Sequence, residues 1–130
     1  MKTLSIFILL FCFLNIISCE NNSEELIIDE NNKLLGSWIN PEYNNSEIKF
    51  ERVDSLKENE YGISFLKGDV FIERSSGWCG TPPLSYFDYQ GNWEKDDLIV
   101  EIDIDMGLGS NNRVWKIKSI NNSYLIIIKD

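Results

Sequence analysis

From residue 33 onward the apolar residues fall in short runs broken by turn-forming residues, and they alternate along each run instead of recurring at helical spacing. The clearest run is 98–105, with Leu98, Val100, Ile102 and Ile104 on one face and Glu101, Asp103 and Asp105 on the other. That is the pattern of a strand with one face in a core and one in water. Eight such runs are present, at 34–40, 47–53, 61–66, 69–74, 86–94, 98–105, 113–120 and 123–129. Asn44-Asn45, Lys67-Gly68, Asp96-Asp97 and Asn121-Asn122 separate neighbouring runs with residues that tolerate left-handed backbone, so hairpins are expected. The pattern predicts an all-β, antiparallel up-and-down meander of about eight strands. Laid flat it would leave two open edges; closed into a small barrel it has none, and it encloses a space for side chains or one small ligand. A β-sandwich is the alternative architecture.

Composition strengthens the strand reading. The chain has no alanine and 18 isoleucines, so long helices are poorly supported and strands well supported. With 130 residues there is room for one domain with one modest core.

The first 32 residues differ from the rest. Met1-Lys2 gives a small positive start, and residues 4–14 are almost purely apolar but too short to span a bilayer as a relaxed helix. Residues 1–18 therefore read as a signal peptide. The run ends Ile16-Ile17-Ser18-Cys19, which resembles the bacterial lipobox, and that resemblance implies acylation of Cys19 as the new N-terminus. Two or three acyl chains would hold such a protein firmly on a membrane, where one chain holds it marginally. Residues 19–32 are polar and acidic and form the expected flexible tether, leaving 33–130 as the folded domain. An acidic stretch after the cysteine also resembles the surface-export signal of Bacteroidota lipoproteins, and Asp54-Ser55-Leu56 resembles the O-glycosylation sequon of those bacteria. The expected location is the outer membrane, facing the periplasm or the cell surface.

Gly36-Ser37-Trp38 on the first strand resembles the Gly-x-Trp signature of lipocalins and of smaller lipocalin-like domains in bacterial lipoproteins. The resemblance implies a barrel with Trp38 sealing one end beneath a basic side chain, for which Lys129 or Arg113 are the candidates near the last strands. Gly91-Asn92-Trp93 repeats the pattern in the fifth run, where the glycine marks a bend.

Charge and chemistry narrow the function. Twelve basic residues stand against 21 acidic ones; without Lys2 of the leader the balance is 11 against 21, a net charge of −10. Such a surface repels nucleic acid and attracts basic partners. With no histidine in the chain, Ser-His-Asp and Cys-His machinery and histidine-ligated zinc are excluded. Cys79 has neither a histidine base nor a disulfide partner in the mature chain, and reads as a small apolar residue. Glu101, Asp103 and Asp105 share a strand face but lack calcium-loop spacing, so no metal, and no other cofactor, is expected. Trp78, Tyr86 and Tyr89, in or beside the longest loop, are the candidate contacts for a ligand or partner.

These features point to a monomeric, non-catalytic, membrane-anchored barrel that binds a small apolar ligand. The alternative is an envelope inhibitor of a basic, lysozyme-like enzyme, since small barrel lipoproteins resembling bacterial lysozyme inhibitors are known and a net charge of −10 would steer a basic enzyme toward the protein.

Overall fold

The computed structural model describes residues 28–77 and 80–130. The leader, Cys19, Trp78 and Cys79 lie outside the described residues. Eight strands form: β1 (Gly36–Asn44), β2 (Glu47–Val53), β3 (Gly62–Leu66), β4 (Val70–Ser75), β5 (Phe87–Asp96), β6 (Ile99–Asp105), β7 (Ser110–Ile120) and β8 (Tyr124–Lys129). All neighbours pair antiparallel, and the sheet closes into a barrel with no open edge. The all-β barrel expected from the alternation of apolar and polar residues is therefore the fold.

The turn residues act as their chemistry requires. Asn45, Asp69 and Asp97 hold positive φ of 54°, 61° and 52°, the left-handed backbone that Asn, Asp and Gly tolerate. Asn121 works differently: its Oδ1 accepts hydrogen bonds from the backbone N–H of Ser123 at 2.8 Å and of Tyr124 at 2.7 Å, a side-chain closure of the β7–β8 turn. The β6–β7 loop closes the same way, with Asp105 Oδ1 accepting from the N–H of Gly107 at 2.8 Å and Gly109 at 3.1 Å. Among the described residues no cluster of three potential metal ligands occurs.

Strand order adds a feature that local pattern does not contain. Around the barrel the order is β1-β2-β8-β7-β6-β5-β4-β3, so β1 stands between β2 and β3, which run in the same direction. Residues 54–61 must therefore return along the outer wall. Ile39 shows where they pass. It points outward, as the neighbour of inward Trp38, yet it is only 2 % exposed. Its partner across the ladder is Gly62, where an added Cβ would meet Leu56 Cδ2 at 2.7 Å and Ile39 Cγ2 at 3.0 Å. Leu56 thus covers Ile39 over a position that must be glycine. Arg74 on β4 fixes this crossing, donating to the carbonyls of Leu56 and Lys57 at 3.1 Å each and to both carboxylate oxygens of Asp88 at 2.7 and 2.8 Å. The fork geometry of a guanidinium suits that double task.

Inside, Phe65 sits between Phe71 at 5.1 Å and Trp93 at 5.3 Å between ring centroids, and Trp115 lies 6.4 Å from both Phe50 and Phe71. These contacts are tilted or edge-on for the most part, the arrangement aromatic quadrupoles prefer. At Gly91 a Cβ would collide with the Asp103 carbonyl and the Ile104 side chain, so glycine permits the close approach of β5 to β6.

Candidate functional site

The two ends of the barrel differ. One end carries the turns after β3, β5 and β7 together with residues 29–35, and it is sealed. Leu34 is 1 % exposed and Trp38 is fully buried, its indole N–H donating to the Leu34 carbonyl at 3.0 Å. The cation over the Trp38 ring is Arg52, at the end of β2, with its guanidinium carbon 4.1 Å from the ring centroid. It also donates to the carbonyls of Leu35, at 2.9 Å, and of Lys33. Neither Lys129 nor Arg113, the candidates suggested by closeness to the last strands, makes this contact. Both belong to the far end, whereas β2 ends directly beside the entry of the chain into the barrel. Gly36, at φ 135°, leaves room for the Arg52 guanidinium: a Cβ there would lie 2.7 Å from Nη1.

Among the described residues the opposite end is open. Its mouth is bounded by the β6–β7 loop, the start of β7, Tyr43 on β1 and Lys129 at the end of β8. Below it lies a cavity of about 670 Å³ whose wall includes Ile48, Phe50, Tyr61, Glu73, Arg113 and Trp115. Alternation accounts for the apolar wall: Ile48 and Phe50 are inward positions of β2, and Trp115 is an inward position of β7, all buried. Leu108, flanked by Gly107 and Gly109 at φ 91° and 98°, is held at the mouth 78 % exposed.

Two charged residues occupy inward positions of β4 and β7. Glu73 follows Phe71 on β4, and Arg113 precedes Trp115 on β7. Because β5 and β6 separate these strands in the sheet, the ion pair crosses the barrel interior, with Arg113 Nη1 2.6 Å from Glu73 Oε2. The Glu73 side chain is 7 % exposed and that of Arg113 20 %. Tyr61 donates its hydroxyl to Glu73 Oε1 at 3.2 Å, and Arg113 Nη2 approaches Met106 Sδ at 3.3 Å. Burial, reinforced by the Glu73 charge, raises the Tyr61 phenol well above its ordinary value. Truncating one member of the Glu73–Arg113 pair would strand a largely buried charge, at a cost on the order of 3 kcal/mol.

Of the residues singled out from sequence, Gly36 and Trp38 lie together at the sealed end. Tyr86 is half-buried in the loop before β5, and Tyr89 packs against the core from β5; neither lines the cavity. Trp78 and Cys19 lie outside the described residues. Glu73, Tyr61 and Tyr43 were not singled out, and Arg113 and Lys129 were assigned to the other end. The available signal was a charged side chain two residues from an inward aromatic, at 71/73 and again at 113/115.

The fold and the cavity define the class as a small closed antiparallel β-barrel with one sealed and one open end. No protein-family model, curated protein or solved structure matches the chain.

Proposed function

We propose that the protein is a membrane-tethered, non-catalytic binding barrel whose open end takes a small, largely apolar ligand. The cavity carries this reading. At about 670 Å³ it falls within the usual range for small-molecule sites, and it combines an aliphatic and aromatic wall with a few convergent polar groups. The absence of histidine from the chain supports binding over catalysis. The test is titration with the neutral fluorophore N-phenyl-1-naphthylamine. Saturable one-to-one uptake is expected, weakened at least about tenfold in Ile48→Trp, which fills the wall. Uptake that does not saturate, or that Ile48→Trp leaves unchanged, contradicts the reading.

The tether belongs to the same proposal. Acylation at Cys19 would attach the chain through the segment that precedes residues 29–35, which enter the barrel at its sealed end. Replacing Cys19 by alanine should move the protein from the membrane to the soluble fraction; retention in the membrane would refute the anchor.

A second reading has one observation in its favour. On the outer wall Glu94 faces Glu101 directly across β5 and β6, with Asp103 beside them, an arrangement that costs cross-strand stability and suits a basic protein partner. Unchanged lysozyme activity with the protein in excess would remove the inhibitor form of this reading.

A further inference from the structure

The charges inside the cavity have a sign opposite to the chain as a whole. Its charged lining residues are Glu73, Arg113 and Lys129, a balance of +1 within a chain of net charge −9. Both Glu73 oxygens already accept a hydrogen bond, one from Tyr61 and the other from Arg113. Arg113 has donors to spare. A guanidinium carries five N–H donors, and among the described residues Arg113 spends them on one carboxylate oxygen and one thioether, a weak acceptor. Lys129 stands at the mouth with its ammonium 6.0 Å from the centre of the Tyr43 ring. The cavity thus holds spare cationic donor capacity, beside the neutral Ser110, Asn111 and Asn112 and above an apolar floor of Ile48, Phe50 and Trp115.

We propose that the cavity selects an anionic amphiphile, with an oxyanion head group bound by Arg113 and Lys129 and an apolar chain or ring against Tyr43, Met106 and Leu108, over the floor of Ile48, Phe50 and Trp115. This rests on the cavity being the binding site. An oxyanion supplies acceptors that water would otherwise provide, and hydrogen bonds to charged groups in a part-buried site exceed neutral ones. The head group could be a carboxylate or a phosphate monoester, which share this chemistry.

The experiment is displacement of N-phenyl-1-naphthylamine by decanoate, decyl phosphate and decanol, each below its aggregation threshold. One or both anions should displace the probe at concentrations at least about tenfold lower than decanol, and the better of the two identifies the head group. Glu73→Gln, which frees Arg113, should widen the ratio of anion to alcohol. The triple variant E73Q/R113M/K129M, which removes the internal pair without stranding either partner and also removes the ammonium at the mouth, should bring it close to one, with near-ultraviolet circular dichroism confirming a folded barrel. Failure of the wild-type protein to take up the probe would refute the cavity as a site. Uptake with decanol as effective as both anions, or a preference that survives in E73Q/R113M/K129M, would refute the head-group assignment alone.

Discussion

Arg52 lies over the Trp38 ring at one end of the barrel, and Arg113 reaches Glu73 at the other. The first closes the fold and the second leaves donors facing a cavity. Tyr61 connects the second to pH. Its phenol is neutral in the folded protein beyond the pH at which an unfolded tyrosine, near pH 10, releases its proton, because burial and the neighbouring Glu73 charge both oppose the phenolate. Unfolding above that pH therefore releases a proton, so this contribution to stability is complete below about pH 10 and declines above it. Denaturant unfolding of wild type and Tyr61→Phe from pH 8 to 11 checks this. The variant should be less stable at pH 8 by about 1 kcal/mol, for the lost hydrogen bond, and its stability should fall less steeply above pH 10. Equal slopes would contradict the assignment. Little of this was legible beforehand: Tyr61 opens a predicted strand, and nothing local distinguishes it from the other tyrosines until Glu73 is placed across from it.

At the scale of elements, the strands were legible because period-two alternation is a property of adjacent residues, and turn chemistry marks their ends. The differences have local causes. β1 continues past Pro41 to Asn44 because a bulge between Ile39 and Glu42, with Asn40 at φ 51°, absorbs residues that look like a strand end. β7 begins at Ser110, where Ser110-Asn111-Asn112 looks like loop but pairs with the end of β6. The placement of β1 between β2 and β3 was not legible, since it depends on Leu56 covering Ile39 and on Arg74 reaching the 54–61 connection, contacts distant in sequence. Arg74→Leu tests the role of that anchor. Losing the two carbonyl bonds and the Asp88 fork should cost on the order of 1–2 kcal/mol, a modest figure because the Asp88 pair is partly exposed. Trypsin should also cut after Lys57 several times faster in the variant, as the connection lifts from the wall. An unaltered cleavage rate would mean that Leu56 alone holds it.

For the whole molecule, charge and shape divide the labour. The outer wall carries the excess of carboxylates, while among the described residues one internal ion pair and Lys129 give the cavity a positive balance. The barrel and its sealed tryptophan end could be inferred from alternation and from Gly36-Ser37-Trp38. The open end could not, because it is assembled from β1, β2, β4, β7, β8 and the 54–61 connection, and the Glu73–Arg113 pair spans 40 residues. Tyr86 and Tyr89 drew attention by their position in or beside the longest loop, whereas the cavity is lined by inward residues of β2, β4 and β7 together with Tyr61 and the β6–β7 loop. The most direct test of the central claim, that the open end is the binding site, is amide chemical-shift mapping of the protein titrated with decanoate. The account predicts perturbations centred on Phe50, Tyr61, Glu73, Arg113 and Trp115, with the turns at 67–69 and 121–123 unmoved. Perturbations centred on those sealed-end turns or on the outer wall, or none at saturating decanoate, would contradict it.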